Sequence, residues 1–196
     1  MPRVTALRAP RPGRVAVELD GALWRTLPLE VVVRAGLRVD DELDRPGLRL
    51  LRRELRRHET LAAAGRALRN RDHSAGELDR KLEQRGASSA ERLGALETLE
   101  RAGLVDDERF ATRRAQALAE RGWGDEAIRV DLEGREVATE LVEQALSTLE
   151  PEAKRAVALA ERRGGGLRAA RWLAARGFGS DALEGVIANE GGAALP

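Results

Sequence analysis

The side chains best suited to catalysis are scarce in this chain. Its 196 residues include no cysteine and only two histidines, His58 and His73, so no thiolate nucleophile, disulfide framework or zinc–thiolate site is possible. Neither histidine stands in a recognisable serine–histidine–acid pattern or in the paired spacing of a helical zinc site. We therefore expect two structural or surface histidines, a protein that is not an enzyme, and no metal or cofactor.

Two other short patterns could suggest a ligand site, but their contexts favour structural roles. The glycines at positions 164–166 follow an expected helix, and Leu167-Arg168 stands in place of the Lys-Ser or Lys-Thr of a phosphate-binding loop. They are typical of a flexible joint. The neighbouring Asp106 and Asp107 are explained better as helix caps than as metal ligands.

Arginine carries most of the chemical signal. The chain has 34 Lys and Arg against 33 Asp and Glu, a net charge of +1, but the charges are segregated. Nine arginines stand between positions 45 and 71 and seven Lys or Arg between 152 and 176, whereas positions 125–150 hold eight acidic residues against two arginines. Such asymmetry bears on binding partners rather than on fold.

The two basic blocks form the predicted binding surface. Exposed guanidinium groups attract nucleic-acid phosphates without sequence preference, and they equally match the carboxylates of an acidic protein; the plainer alternative is a general solubilising role. The residues predicted to make these contacts are Arg52, Arg53, Arg56, Arg57, Lys154, Arg155, Arg162, Arg163, Arg168 and Arg171. Trp123 and Trp172 could stack on bases or anchor a partner, although aromatic residues at helix starts more often belong partly to a core.

Three similar segments supply the helices on which these side chains must lie. Alanine, leucine, arginine and glutamate are strong helix formers, and they dominate the chain after residue 46. Leu82, Leu132 and Leu173 align at offsets of 50 and 41 residues, and each is followed three positions later by an arginine. These arginines are Arg85, Arg135 and Arg176. Self-similarity at this period predicts stacked helical units.

The sequence therefore predicts a mainly α protein of three tandem three-helix repeats that follow a small N-terminal module. The predicted domains are an N-terminal arm and β-hairpin module at 1–45, a basic helix plus the first repeat at 46–106, the second repeat at 107–150, and the third repeat with a frayed C-terminus at 151–196. Within the module, residues 1–13 are expected to form a mobile arm. Asp20-Gly21 should join the strands of the hairpin, with Trp24 on its inner face, followed by a helix at 29–35 and a short strand at 37–39.

Helix starts are predicted from capping residues and core positions from apolar spacing. Ser74 and Glu77 form the pattern of a capping box. The residues expected to cap the third helix of each repeat are Ser89, Thr139 and Ser180. Leu93 and Ile187 are among those expected to face the core. No run of 18 apolar residues occurs and the N-terminus lacks an apolar signal core, so we expect a cytoplasmic protein.

Several motifs, in their order and spacing, resemble the RecX family of recombination regulators. They are Arg71-Asp-His-Ser-x-x-Glu77-Leu78, Lys81-Leu82-x-x-Arg85-Gly86, Gly103-Leu-Val-Asp-Asp107 with Phe110-Ala111, and Gly122-Trp-Gly124 with Ile128. The Gly-Leu-Val-Asp-Asp segment is the most specific, and the likeness extends from about Leu61 to Ile187. One departure is Glu136, because the aligned bends carry glycine there.

This resemblance implies tandem three-helix repeats in an elongated, curved molecule without catalytic residues. It implies a regulator that binds the RecA recombinase, as monomer or filament, and single-stranded DNA directly or through RecA. Family members restrain filament growth, ATP hydrolysis and strand exchange, so the ten basic residues would contact RecA or nucleic acid. The residues leave open the alternative of a non-specific nucleic-acid-binding helical-repeat protein. The absence of a sustained heptad pattern favours a monomer.

Overall fold

A three-stranded antiparallel sheet forms the N-terminal part of the chain in a computed structural model, which describes the backbone of residues 1–191 and the side chains of residues 1–188. The strands are β1 (Val4–Arg11), β2 (Arg14–Leu19) and β3 (Ala22–Pro28), in the order β1-β2-β3. Asp20 and Gly21 connect β2 to β3 with φ angles of 50° and 85°, as a two-residue hairpin of this type requires. The predicted hairpin is therefore confirmed.

Three expectations for this region are wrong. Residues 1–13 are not a mobile arm, because β1 pairs with β2 and buries Val4 completely; Pro10 is tolerated because β1 is an edge strand. Trp24 is not on the inner face. It is the extra residue of a β-bulge in β3, which leaves it 39% exposed. Residues 37–39 form no strand. Instead, the N–H of Leu37 donates a hydrogen bond to the carbonyl oxygen of Val32, in the helix that precedes it.

Helices make up the rest of the described chain. The short helix α1 (Leu29–Arg34) begins after Pro28, and the long helix α2 (Arg45–Asn70) leads into the repeats. The others are α3 (Ala75–Glu83), α4 (Ser89–Arg101), α5 (Asp107–Glu120), α6 (Asp125–Glu133), α7 (Thr139–Ser147), α8 (Glu152–Glu161), α9 (Gly166–Ala174) and α10 (Ser180–Gly191). The end of α2 with α3 and α4 is the first repeat, α5–α7 the second and α8–α10 the third. None of the helices in the described part of the chain is long and apolar enough to span a membrane.

The chain divides into two compact units. One comprises residues 1–71 and 79–99, and the other comprises residues 72–78 and the described residues from 100 onward. In the first unit the sheet packs with α1 and α2 around Val17, Val31 and Leu51. In the second unit each repeat has its own core, centred on Leu132 in the second repeat and on Leu173 in the third. The domain boundaries at residues 45, 106 and 150 stay a prediction.

Two residues expected in the core are exposed. Leu93 is 60% exposed because α4 buries Ala95 and Leu99, and a residue two positions before Ala95 lies about 200° away around the helix. Ile187 is 50% exposed because α10 buries Ala182 and Val186, four residues apart. The correct stripes are made of smaller residues than the sequence interpretation favoured. The predicted fraying after Asn189 lies mainly outside the described residues.

Helix caps agree with the prediction at the start of α3 and of α5, and they differ at the start of the third helix of each repeat. Ser74 accepts a hydrogen bond from the N–H of Glu77 at 3.1 Å, and Asp106 accepts one from the N–H of Arg109 at 2.9 Å. The first carbonyl acceptors of α4, α7 and α10 belong instead to the residues before the predicted caps. These acceptors are Ser88, Ala138 and Gly179. Ser89, Thr139 and Ser180 are therefore the first helical residues.

Candidate functional site

Four arginines of α2 form the first basic surface, which we call the α2 surface. It consists of Arg52, Arg53, Arg56 and Arg57. Arg56 donates from Nε to Glu91 at 2.7 Å, and Arg53 lies 3.4 Å from the neighbouring Glu54. Arg52 and Arg57 have no ionic partner among the described residues, so their guanidinium groups are available to a partner.

Helices α8 and α9 and the turn between them carry the second basic surface, which we call the third-repeat surface. It consists of Lys154, Arg162, Arg163, Arg168 and Arg171, all exposed. The guanidinium carbon of Arg163 lies 3.6 Å from the ring centroid of Trp172, close enough for a cation–π contact. The side chains of the other four have no hydrogen-bond or ionic partner within the described chain.

Arg155 differs from the other predicted contact residues because it is buried. Its Nε donates to the carbonyl oxygen of Glu150 at 2.9 Å and its Nη1 to that of Trp123 at 3.0 Å. It also forms an ion pair with Asp125. Burial raises the pKa of the Asp125 carboxyl, while the charge of Arg155 opposes that shift. Its guanidinium thus joins the second repeat to the third.

A junction between successive repeats is the feature that sequence reasoning did not identify. At the contact between the first and second repeats, the N–H of Ala75 donates a hydrogen bond to the carboxylate of Asp107 at 2.7 Å. Ser74 Oγ donates to the carbonyl oxygen of Arg135. Arg135 in turn donates from Nη1 to Glu77 at 2.6 Å. The start of α3 is thus held between the first helix of the second repeat and that repeat's bend.

The second and third repeats contact each other through hydrogen bonds of the same kind. The N–H of Asp125 donates to Glu152 at 2.6 Å, and the N–H of Gly124 donates to the carbonyl oxygen of Arg176 at 2.9 Å. The guanidinium of Arg176 also lies 4.8 Å from the ring of Trp123. In both junctions, a carboxylate at the start of a first helix meets the positive end of the preceding repeat's second helix, where negative charge is favoured.

The recurring arginine is the one sequence signal that could have revealed these junctions. Arg135 and Arg176 occupy the same place after the aligned leucines, and both bind the preceding repeat. Arg135 also shares Asp131 with Arg114, each donating from Nε at 2.8 Å. The hydrogen bond from Arg114 is the largest cause that holds the pKa of the Asp131 carboxyl well below its usual range.

Glu136 fits its bend because the facing helix has a glycine. It adopts a φ of 60°, and a Cβ added to Gly76 would lie 2.3 Å from the Cβ of Glu136. At the second junction the bend carries Gly177, and a Cβ added there would lie 2.7 Å from the Cβ of Ala127. Each junction therefore has room for a Cβ on one side only.

Both histidines lie beside carboxylates. His58 Nδ1 is 3.4 Å from Glu30 Oε2, and the buried His73 Nδ1 is 3.2 Å from Glu77 Oε2. No group of three or more potential metal ligands occurs in the part of the chain that the structure describes. The candidate functional site is therefore a pair of charged surfaces, one in each unit.

Comparison with known proteins gives one consistent result. A family model described as the second three-helix domain of RecX matches residues 106–146. The Regulatory protein RecX of Halorhodospira halophila is 35% identical over 136 residues, which cover 64% of this chain and 84% of the relative. That of Trichlorobacter lovleyi is 33% identical over 136 residues, which cover 62% of this chain and 88% of the relative.

Solved structures agree in fold. A crystal structure of regulatory protein RecX superposes with a TM-score of 0.78 at 20% identity and covers 94% of this chain and 98% of its own. The structure of RecX from Lactobacillus salivarius gives a TM-score of 0.61 at 18% identity and covers 68% of this chain and 96% of its own. With three-helix repeats, a matching second domain and relatives above 30% identity, the chain belongs to the RecX family of regulatory proteins.

Proposed function

We propose that this protein binds the RecA recombinase, free or as a filament on single-stranded DNA, and inhibits its ATP hydrolysis and filament growth. Membership of a family whose relatives are named regulatory proteins supports this function. The observation that carries it is a set of exposed basic side chains with no internal partner among the described residues. These are Arg52, Arg57, Lys154, Arg162, Arg168 and Arg171.

Unpaired guanidinium groups explain how such a protein acts without chemistry of its own. Arginine presents a planar fork of donors that matches a carboxylate bidentately. A guanidinium with no internal carboxylate loses no existing ion pair when it binds an acidic partner. The α2 surface and the third-repeat surface could then engage adjacent recombinase subunits and oppose the change that ATP hydrolysis requires. We propose that the protein does this in the cytoplasm as a monomer.

The test is RecA-catalysed ATP hydrolysis on single-stranded DNA with increasing amounts of this protein. We expect inhibition, and inhibition well below one protein per RecA would indicate action on filaments rather than sequestration of subunits. A variant in which Arg52, Arg57, Arg162 and Arg168 are changed to Glu should inhibit at least tenfold less strongly while keeping the wild-type circular dichroism spectrum. Equal inhibition by this folded variant would contradict the proposed role of the two surfaces.

The same free cations favour one competing function, non-specific binding of nucleic acid. In that case the protein would bind single-stranded DNA in the absence of RecA, with an affinity that falls as the salt concentration rises. It would inhibit RecA only by occupying the DNA that RecA needs. Inhibition that disappears when excess DNA is added would support this alternative. Inhibition that persists in excess DNA would support direct contact with RecA.

A further inference from the structure

We propose that a cavity beside the bend of the first repeat binds the acidic start of a helix from a partner protein. The cavity has a volume of about 340 Å³ and lies within the first unit, between α2 and the segment that joins α3 to α4. Its charged lining residues are Arg56, Glu59, Arg66, Arg85 and Glu91. The inference deepens the proposed function, on which it rests, by naming the chemistry that the partner presents.

The alignment of the repeats shows what kind of ligand belongs at this place. In the second repeat, the preceding helix start is contacted by Asp107, Arg113 and Arg135. The residues 50 positions earlier are Arg57, Ala63 and Arg85. Ala63 and Arg85 line the cavity. The cavity therefore lies on the first repeat where the second repeat holds the start of α3.

The first repeat has the corresponding binding groups, but no helix start from a preceding repeat occupies them. The side chains of Arg66 and Arg85 have no hydrogen-bond or ionic partner among the described residues. The carbonyl oxygen of Arg85 accepts no hydrogen bond there either, whereas the aligned carbonyl oxygens of Arg135 and Arg176 accept one each. A ligand at this place would meet two free guanidinium groups and a free backbone acceptor.

Charge identifies the ligand as a carboxylate. The position aligned with Asp107 is Arg57, which lies outside the cavity lining, so the first repeat lacks the anion of the second repeat there. The unpaired cationic side chains that line the cavity are those of Arg66 and Arg85. In the second repeat, Arg135 pairs with Glu77, a carboxylate in the first turn of α3. The ligand of the cavity would form the same kind of ion pair with Arg85. Acidic residues are favoured in the first turn of helices, and a serine or threonine cap could donate its hydroxyl to the carbonyl oxygen of Arg85, as Ser74 does to Arg135.

Two other occupants fit less well. A nucleic-acid phosphate could accept from Arg66 and Arg85, but it has no donor for the carbonyl oxygen of Arg85, which a capping serine or threonine does supply. A second copy of this chain would present the start of α9, where Arg168 occupies the position of Glu77. Arg168 and Arg85 would repel each other, so a different, acidic partner is favoured.

A helix-start peptide tests the chemistry of the cavity without RecA. The probe is a helix-stabilised peptide with the sequence of residues 72–83, the natural ligand of the Arg135 bend, titrated into the full-length protein labelled with ¹⁵N. We expect the amide resonance of Gly86 to shift, and we expect the shift to vanish with an Arg85→Glu variant or with a peptide carrying Glu77→Lys. No shift with the acidic peptide, or an equal shift with a single-stranded oligonucleotide, would overturn the inference.

Filament binding then tests whether RecA supplies the helix start. At one salt concentration, Arg85→Glu and Arg66→Glu should each weaken binding to RecA filaments at least tenfold, whereas Arg49→Glu should weaken it less than threefold. Arg49 is the matched control, an exposed α2 arginine outside the cavity. Equal losses in all three variants would overturn the inference and leave the proposed function in place. Absence of filament binding by the wild-type protein would instead refute the proposed function.

Discussion

Asp131 shows how one carboxylate connects two repeats. It accepts hydrogen bonds from Arg114 and Arg135, and Arg135 reaches on to Glu77 in the first repeat. Because the guanidinium of Arg114, followed by that of Arg135, keeps the pKa of Asp131 below its usual range, the folded state favours the ionised carboxylate. Its stabilising effect is therefore fully present above the unfolded-state pKa, near 4, and is lost as the pH falls toward the folded-state pKa.

Replacing Asp131 by asparagine should lower the free energy of unfolding by about 1–3 kcal/mol at pH 7, the range for hydrogen bonds to charged groups. The difference from the wild type should narrow as the pH falls from 5 to 3, because the wild-type carboxylate is then progressively less favoured. Urea unfolding at a series of pH values measures both effects. Glu143→Gln is a suitable control, since Glu143 binds Arg129 at an exposed site and should matter much less. A loss that does not depend on pH would argue against this ion pair as the cause.

At the residue scale, the sequence showed which arginines occupy equivalent positions, but it did not show what each of them binds. The alignment placed Arg85, Arg135 and Arg176 in one class, but it could not show that two of them bind the preceding repeat. The partner of Arg135 is 58 residues away, and no local pattern encodes such a contact. Arg155 was predicted as a surface cation for the same reason, since a buried arginine with backbone partners has the same spacing as an exposed one.

At the scale of the elements, the fit between a helix and a bend depends on one Cβ. Gly76→Ala would place a Cβ 2.3 Å from that of Glu136, so we expect a loss of about 1–3 kcal/mol, the usual cost of overpacking. Glu136→Gly should restore the stability of that variant, because it removes the clashing Cβ and relieves the left-handed φ of 60°. Thermal unfolding of the two single variants and the double variant measures the coupling.

Gly94→Ala is the matched control for this pair. Gly94 also lies in a helix, but nothing lies within 4 Å of an added Cβ. Alanine there should raise stability by about 0.5–1 kcal/mol, since it is the better helix former. If Gly76→Ala and Gly94→Ala had the same effect, or if the two junction substitutions were simply additive, the junction would not depend on this close approach.

Most elements could be predicted from the sequence because their signals are local. Apolar spacing and capping residues gave the helices, and Asp20-Gly21 gave the hairpin. The first strand was missed because β1 is a proline- and arginine-containing edge with two irregularities in its pairing with β2. Trp24 was misplaced because a bulge shifts the alternation of β3, and a bulge is set by the partner strand as much as by the sequence of the bulged strand.

At the scale of the whole molecule, a net charge of +1 conceals regions of opposite sign. If the basic surfaces bind an acidic filament, affinity should fall as salt rises, because screening weakens exposed charge pairs. Changing Arg162 and Arg168 to Glu should weaken filament binding several-fold in low salt and make it less sensitive to salt. Titration of labelled protein onto RecA filaments between about 50 and 300 mM salt, well beyond the onset of screening, provides the measurement.

Glu140→Lys is the opposite control, because Glu140 is an exposed residue of the acidic middle repeat without a partner among the described side chains. This change should leave the affinity unchanged or increase it. If Glu140→Lys weakened binding as much as the arginine reversals do, the location of charge in the chain would be unimportant, and the two basic surfaces would lose their assigned role.

The three glycines at the start of α9 have a consequence for local unfolding. Gly164, Gly165 and Gly166 all adopt positive φ angles, of 84°, 72° and 71°, and glycine loses more conformational entropy on ordering than any other residue. Five of the eight buried residues in the adjoining core are alanines, which bury little apolar surface for each residue ordered. The third repeat should therefore open more often than the second, with faster amide exchange in α9, and the surface that carries the most free cations would also be the most adaptable one.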